Sequence, residues 1–77
     1  MRIYTDIKRI MKFKEEQDNY DEEIITNCAV RLKSGKAYGG GYYNTLNNKY
    51  DDEFELEDDG CGQTFKVQDI ETLIIFD

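Results

Sequence analysis

The chain lacks histidine, tryptophan and proline, and its only serine is Ser34. A serine or cysteine nucleophile needs an adjacent base, which is most often histidine, so this type of catalysis has few candidate residues. Ser34 lies between Lys33 and Lys36 in a run that is typical of a turn. A zinc site is not expected either, because two separated cysteines, Cys28 and Cys61, do not make a tetrahedral ligand set without histidine.

Carboxylates are the abundant ionisable groups, with 17 Asp and Glu against 10 Lys and Arg and a net charge of −7. Their residue type allows a glycosidase-like acid/base pair, but a chain of 77 residues leaves little room for a dry cleft that raises the pKa of one carboxyl. The acids of segment 51–57 would form a flat row on an extended strand and not a loop that wraps around calcium. We therefore predict no enzymatic activity, no metal site and no cofactor.

The N-terminus carries charges where the apolar region of a signal peptide would lie, and the longest apolar run is Leu73–Phe76. A membrane span needs about 20 apolar residues. We therefore expect a soluble, cytoplasmic protein with no membrane partner. A reducing compartment keeps thiols free, so Cys28 is predicted to be a small core residue and Cys61 an exposed one.

The charge is unevenly placed along the chain. Segment 1–14 carries five bases and one acid, whereas segments 15–23 and 51–59 carry acids and no base. Phosphate binding needs a surplus of Lys and Arg, so no direct nucleic-acid partner is expected. The acidic segments are either solvated loops that keep a small domain soluble or a face that docks on a basic partner.

Alternating apolar and polar residues predict β-strands through most of segment 24–76. Gly35 supplies the positive φ of a tight hairpin, after which segment 37–43 returns as the next strand. Its three glycines, 39–41, weaken a strand and often mark a bulge or a sharp bend. In segment 24–32 one face of the first strand carries Ile24, Thr26, Cys28, Val30 and Leu32.

The clearest alternation lies in segment 53–57, where Phe54 and Leu56 are predicted to face inward and the acids outward. Segment 58–62 reads as a hairpin turn. Segment 63–67 then pairs back, with its own apolar residues facing inward: Phe65 and Val67.

Three further segments complete the prediction. Segment 44–49 contains turn residues, of which Asn47 and Asn48 tolerate left-handed backbone. Asp69–Thr72 suggests a helical turn capped by its aspartate. Leu73–Phe76 follows as the final strand.

Segment 1–14 fits two interpretations. Met11 and Phe13 fit a strand after a turn, and segment 6–14 resembles segment 69–77, since both read Asp-Ile-x-x-apolar-apolar-x-Phe. In that case both ends are a turn followed by a strand, and they could lie side by side. The other interpretation is a helix, because four residues fit one helical stripe: Ile3, Ile7, Ile10 and Lys14.

A resemblance to a known superfamily follows from the glycine spacing. Val30-x-Leu32-x-x-Gly35, with Gly40 five residues later, resembles the first Sm motif. Phe54-x-Leu56-x-Asp58 resembles the close of that motif. Five short strands joined by hairpins, the last entered through a helical turn, also resemble an SH3-like barrel. The resemblance covers residues 24–76 and implies a small five-stranded SH3-like or Sm-like barrel.

The chain departs from the Sm pattern at the second motif, where Val67-Gln68-Asp69 stands in place of Arg-Gly. In Sm-like proteins the loop residues of both motifs hold RNA. Because these positions do not match, no nucleotide-binding residue is carried over. The predicted fold is a single, mainly β domain over residues 1–77: an N-terminal helix or turn-plus-strand (1–14), an acidic loop (15–23) and the barrel (24–76).

Tyrosines cluster around the triple glycine and precede the acidic strand. Tyrosine offers rigid contact area and one polar group, which suits interfaces, and glycine allows close approach of a partner backbone. The alternative is that these tyrosines only cover the barrel core. The predicted partner-binding residues are Tyr38, Tyr42, Tyr43, Tyr50, Asp51, Asp52, Glu53, Glu55 and Glu57.

The predicted function is a non-enzymatic protein-binding module whose partner is another protein with a basic surface. An exposed edge strand could add to a partner's sheet. One alternative is a small acidic inhibitor of a nucleic-acid enzyme, of the type that phages encode, whose carboxylates imitate phosphates. Another is a self-associating Sm-like subunit, a homo-oligomer in which Leu73–Phe76 pairs across subunits.

Overall fold

The structure is a computed structural model that describes residues 1–58 and 60–77. Within these residues six strands form one open antiparallel sheet in the order β1-β6-β2-β3-β4-β5. The mainly β prediction is confirmed. In chain order the elements are β1 (Arg2–Tyr4), α1 (Ile7–Asp18), β2 (Ile25–Leu32), β3 (Ala37–Asn44), a 3-10 helix (Thr45–Asn47), β4 (Glu53–Asp58), β5 (Cys61–Lys66), a second 3-10 helix (Val67–Asp69) and β6 (Ile70–Ile75).

Strands β2 and β3 form the first hairpin, as the sequence predicts. Its turn closes through Leu32 N, which donates to Lys36 O at 2.8 Å, and Gly35 adopts a φ of 98°. The predicted inward face of β2 is confirmed at its centre, where Cys28 and Val30 are buried.

The triple glycine bends β3. Cys28 faces Gly41 and Val30 faces Tyr38, so two residues of β3 stand opposite one residue of β2. This bulge contains Gly40, whose φ of 77° is unfavourable for other residues. A Cβ at Gly41 would lie 2.7 Å from Leu56 Cγ, so the glycine lets β4 pass close to β3.

Strands β4 and β5 form the second predicted hairpin, in register from Glu53 opposite Lys66 to Asp58 opposite Cys61. Phe54, Leu56, Phe65 and Val67 are buried, as their alternation predicts. Asp59, which the sequence places in the acidic segment and in this turn, lies outside the described residues.

The helical interpretation of the N-terminal segment is confirmed from Ile7 onward. Asp6 caps α1, because its Oδ1 accepts from Lys8 N at 2.9 Å. Ile10, Phe13 and Lys14 recur at helical spacing and are buried. A turn-plus-strand over segment 6–14 is therefore wrong, and the helix continues through Asp18 into the segment predicted to be an acidic loop.

The two chain ends lie side by side, but segment 69–77 pairs with residues 2–4 and not with segment 6–14. Strand β1 pairs with β6 from Arg2 opposite Ile75 to Tyr4 opposite Leu73. Arg2 Nε also lies 2.7 Å from Asp77 Oδ2. Consequently β6 has a neighbour on each side, β1 and β2.

The helical turn before β6 differs from its prediction. The turn before β6 is the 3-10 helix Val67–Asp69, not Asp69–Thr72, and no side chain caps it. β6 begins earlier than predicted, at Ile70. This residue pairs with Leu32 of β2, and its side chain is buried in the core. Asn48, at the end of the first 3-10 helix, has a φ of −112° and so does not adopt the left-handed backbone that asparagine tolerates.

The core lies between α1 and the concave side of the sheet. The Tyr43 ring is at its centre, 5.5 Å from Phe13 and 4.8 Å from Phe54 between ring centroids. Helix α1 contributes Ile10 and Phe13, the second 3-10 helix contributes Val67, and the strands supply the other apolar side chains. Burial of these side chains is the main stabilising contribution, at about 25 cal/mol per Å² of apolar surface.

Candidate protein-binding surface

The acids of β4 form a row on the outer face of the sheet. Phe54 and Leu56 turn inward, so Glu53, Glu55 and Glu57 turn outward, as the alternation predicts. All three are half-buried. We call Glu53, Glu55 and Glu57 the acidic row.

Two members of the acidic row are held in place. Glu57 Oε2 accepts from Tyr42 Oη at 3.1 Å, and the residues that the structure describes supply no donor to its buried Oε1. Glu55 leans across the neighbouring strand, because its Oε1 lies 2.5 Å from the place a Cβ on Gly62 would occupy. The absence of a side chain at Gly62 therefore lets a carboxylate reach toward the edge of the sheet.

Strand β5 is the edge strand beside this row, and within residues 1–58 and 60–77 its only pairing partner is β4. The first four residues, from Cys61 to Thr64, are exposed and uncharged. Edge strands are commonly protected from pairing with another chain by charges, bulges or proline. Within β5 the only charged residue is Lys66. We call Cys61–Lys66 the β5 edge.

The structure brings two of the predicted tyrosines to this surface. Tyr42 contacts Glu57, as described, and Tyr50 is 69% exposed. Tyr50 lines a hollow of about 150 Å³ together with Glu53, Glu55 and Thr64. Two tyrosines, the acidic row and the β5 edge thus form one continuous surface.

The other two tyrosines lie elsewhere. Tyr38 packs against Phe65, at 4.9 Å between ring centroids, and lines a separate hollow with Asp58 and Cys61. Tyr43 has no exposed surface, and burial raises the pKa of its hydroxyl above its ordinary value. The structure therefore removes Tyr43 from the predicted surface, because its ring belongs to the core.

The two aspartates before β4, Asp51 and Asp52, are exposed and lie next to different parts of the surface. Asp52 Oδ2 lies 3.3 Å from Lys66 Nζ, an exposed ion pair that contributes little to stability. Asp51 lies at the rim of a larger groove on the other side of the segment.

That groove, which the sequence did not indicate, lies between α1 and segment 45–51 and has a volume of about 700 Å³. We call it the α1 groove. Met11, Tyr20 and Leu46 line it, and each is about half exposed. Exposed apolar side chains gathered at one concave place are typical of binding sites.

The floor of the α1 groove is polar. Lys14, only 2% exposed, places its Nζ 2.7 Å from Asp18 Oδ2 and 3.3 Å from Asn48 O. The Asn48 side chain bonds to both the N–H and the C=O of Glu55. Tyr43 Oη donates to Asp18 Oδ1 at 2.7 Å. This network ties the helix to the sheet across 34 residues of sequence.

The two cysteines are free and differ in environment. Burial raises the pKa of Cys28 to about 12, so its thiol stays protonated and unreactive at neutral pH. Cys61 is exposed at the start of β5. In the described part of the chain no group of three or more Cys, Asp or Glu side chains is placed to hold a metal ion. No helix there has the length and apolar character needed to cross a membrane.

Comparisons with protein families, with curated proteins and with solved structures find no match to this chain. Its class therefore follows from its own geometry. Within residues 1–58 and 60–77 it is a small, mainly β domain with one α-helix, an acidic row on the outer face of the sheet and an edge strand paired on one side.

Proposed function

We propose that the protein is a non-enzymatic binding module that accepts a basic, extended segment of a partner protein along the β5 edge. The observation that carries this proposal is the position of the acidic row directly beside an edge strand with almost no protecting charge. The edge offers backbone hydrogen bonds and the row offers charge, which together are the requirements for strand addition by a basic segment.

The spacing supports this arrangement. Alternate residues of a strand lie about 6.8 Å apart on one face, so alternate lysines of an added strand have the same repeat as the acidic row. The added strand would lie two strands away from β4, at about 10 Å. Gly62 and Thr64 are small, so long basic side chains can cross β5, and Glu55 already leans toward them.

We further propose that the sheet curls into an SH3-like or Sm-like barrel formed by β2 to β6. Three observations support this. Without β1 the strand order is β6-β2-β3-β4-β5. Gly41 permits a close crossing of β3 and β4, and a 3-10 turn precedes the last strand. The two ends of that turn continue existing pairings, because Val67 N donates to Asp52 O beside β4 and Lys33 N, just after β2, donates to Asp69 O.

Calorimetry with a synthetic peptide of alternating lysine and threonine tests the function. Replacing the acidic row by amides (Glu53→Gln, Glu55→Gln, Glu57→Gln) should weaken binding about tenfold or more, equivalent to about 1.4 kcal/mol. The control carries the same charge change at exposed acids outside this surface, Asp69→Asn, Glu71→Gln and Asp77→Asn. If both triple variants lose the same amount of binding affinity, the peptide responds only to the net charge of the protein. That result would refute the proposal.

Self-association through the final strand is the competing proposal. Leu73–Ile75 is already paired with β1 and with β2, so a ring built on this strand requires β1 to leave. Light scattering over a range of concentrations separates the two, because the binding module is expected to stay monomeric. A nucleic-acid mimic would instead bind the basic channel of a nucleic-acid enzyme at low salt, without backbone pairing along the β5 edge.

A further inference from the structure

The α1 groove lies beside an acidic segment of the chain. Segment 15–23 carries six acids and no base. The last turn of α1 has no basic residue, although the C-terminus of a helix carries partial negative charge that cations stabilise. Three acids (Glu15, Asp18 and Asp51) and two lysines (Lys14 and Lys49) line the groove, which leaves one net negative charge, and the ammonium of Lys14 is already paired with Asp18. The potential at the groove mouth therefore favours a cationic ligand.

The lining of the groove also favours a ligand with an apolar group. Met11, Tyr20 and Leu46 come from the helix, from the loop after it and from the 3-10 helix, and they converge there half-exposed. Methionine and tyrosine are adaptable contact residues for an inserted side chain. A ligand that combines an apolar anchor with positive charge matches both features.

We propose that the α1 groove binds a large apolar side chain carried by a cationic segment of the partner protein. The choice of a protein partner rests on the proposed function. The two sites are connected, because Asn48 and Lys49 line both the α1 groove and the hollow beside Tyr50, Glu53 and Glu55. One partner segment can therefore lie along the β5 edge with its basic part and place an anchor residue in the groove.

Two synthetic peptides test this on the full chain by NMR titration. The first is the lysine–threonine peptide, and the second adds a short end that contains leucine and phenylalanine. The second peptide is expected to bind about tenfold more tightly, a difference typical of one buried apolar side chain. It should shift the amide signals of Met11, Tyr20 and Leu46, which the first peptide leaves in place.

A matched pair of variants isolates the groove. Met11→Lys with Leu46→Lys places charge in the groove, whereas Ile7→Lys with Ile25→Lys places it at equally exposed apolar residues outside the groove lining. The groove variant should bind both peptides equally, and the control should keep the tenfold preference. If the lysine variant does not fold, Met11→Ser with Leu46→Ser removes the apolar rim without adding charge.

The outcomes separate the two proposals. If both peptides bind the β5 edge with equal affinity and no groove signals move, the groove inference is wrong and the proposed function stands. If the lysine–threonine peptide does not bind but the second peptide binds in the groove, the proposed strand addition fails and the groove site remains. A tenfold preference that survives in the groove variant would overturn the groove inference.

Discussion

Single glycines decide how closely the strands of this sheet approach each other. Gly41 is the tightest position, since an added Cβ would lie 2.7 Å from Leu56 Cγ and 2.9 Å from Glu57 O. Real Cβ atoms do not sit that close to a backbone oxygen, so β3 and β4 must move apart to accept one.

Replacing Gly41 with alanine is expected to lower the free energy of unfolding by about 1–3 kcal/mol, because overpacking forces the two strands apart. Urea denaturation measures the change. The matched control is Gly39→Ala, two residues away, where a Cβ would meet nothing within 4 Å. Equal stability of the two variants would show that β3 and β4 are not packed as described.

The two thiols provide a second test at residue scale. Cys28 is fully buried and its pKa is raised to about 12, so its thiolate is absent from neutral pH to about pH 10. In the folded protein a thiol reagent should therefore modify only the exposed Cys61, and in denaturant it should modify both. Cys61→Ser is the control, and rapid labelling of that folded variant would contradict the burial of Cys28.

At the scale of elements, β2 to β6 were predictable because each carries its own signal, whereas β1 (Arg2–Tyr4) was not predicted. The alternation of Phe54 and Leu56 predicted β4, and the glycines after β2 predicted its hairpin and the bulge of β3. Asp6 had the residue type of a helix cap, yet segment 1–14 fitted two structures, because the aromatic Phe13 suits a strand as well as a helix. The acids after Lys14 suggested a loop, although they continue the helix on its exposed side.

The α1 groove could not be predicted, because it is formed by elements far apart in the chain. Lys14 did fall on the apolar stripe with Ile10, which was the only sign that its ammonium is buried. Its partner Asn48 was interpreted as a turn residue, and only the folded chain brings the two together. The exclusion of Tyr43 from the surface likewise depends on the bulge, which sets the face on which each later residue of β3 lies.

The contact between helix and sheet can be tested through Tyr43. Phenylalanine keeps the ring in the core but removes the hydroxyl that donates to Asp18. Because this hydrogen bond goes to a charged group that is only partly exposed, Tyr43→Phe should lower the free energy of unfolding by about 1–2 kcal/mol. Thermal unfolding measures the loss. Tyr20→Phe, which removes an exposed hydroxyl, should change nothing, and an unaltered Tyr43→Phe protein would argue against the buried network.

At the scale of the whole molecule, charge and open edge lie on one side of the sheet while α1 covers the other. The charge is also uneven along the chain, since segment 1–14 carries five bases and one acid whereas segments 15–23 and 51–59 carry acids and no base. Such asymmetry orients a basic partner before contact, and the backbone of the edge strand then fixes its register.

Amide hydrogen exchange of β5 tests the central claim most directly. Binding of the lysine–threonine peptide should slow exchange within Cys61–Lys66, because strand addition pairs N–H groups that have no partner in the described residues. The same peptide methylated at every backbone nitrogen keeps its charge but cannot pair, so it should leave β5 exchange unchanged and bind more weakly. Equal binding of both peptides with no slowing in β5 would contradict the claim.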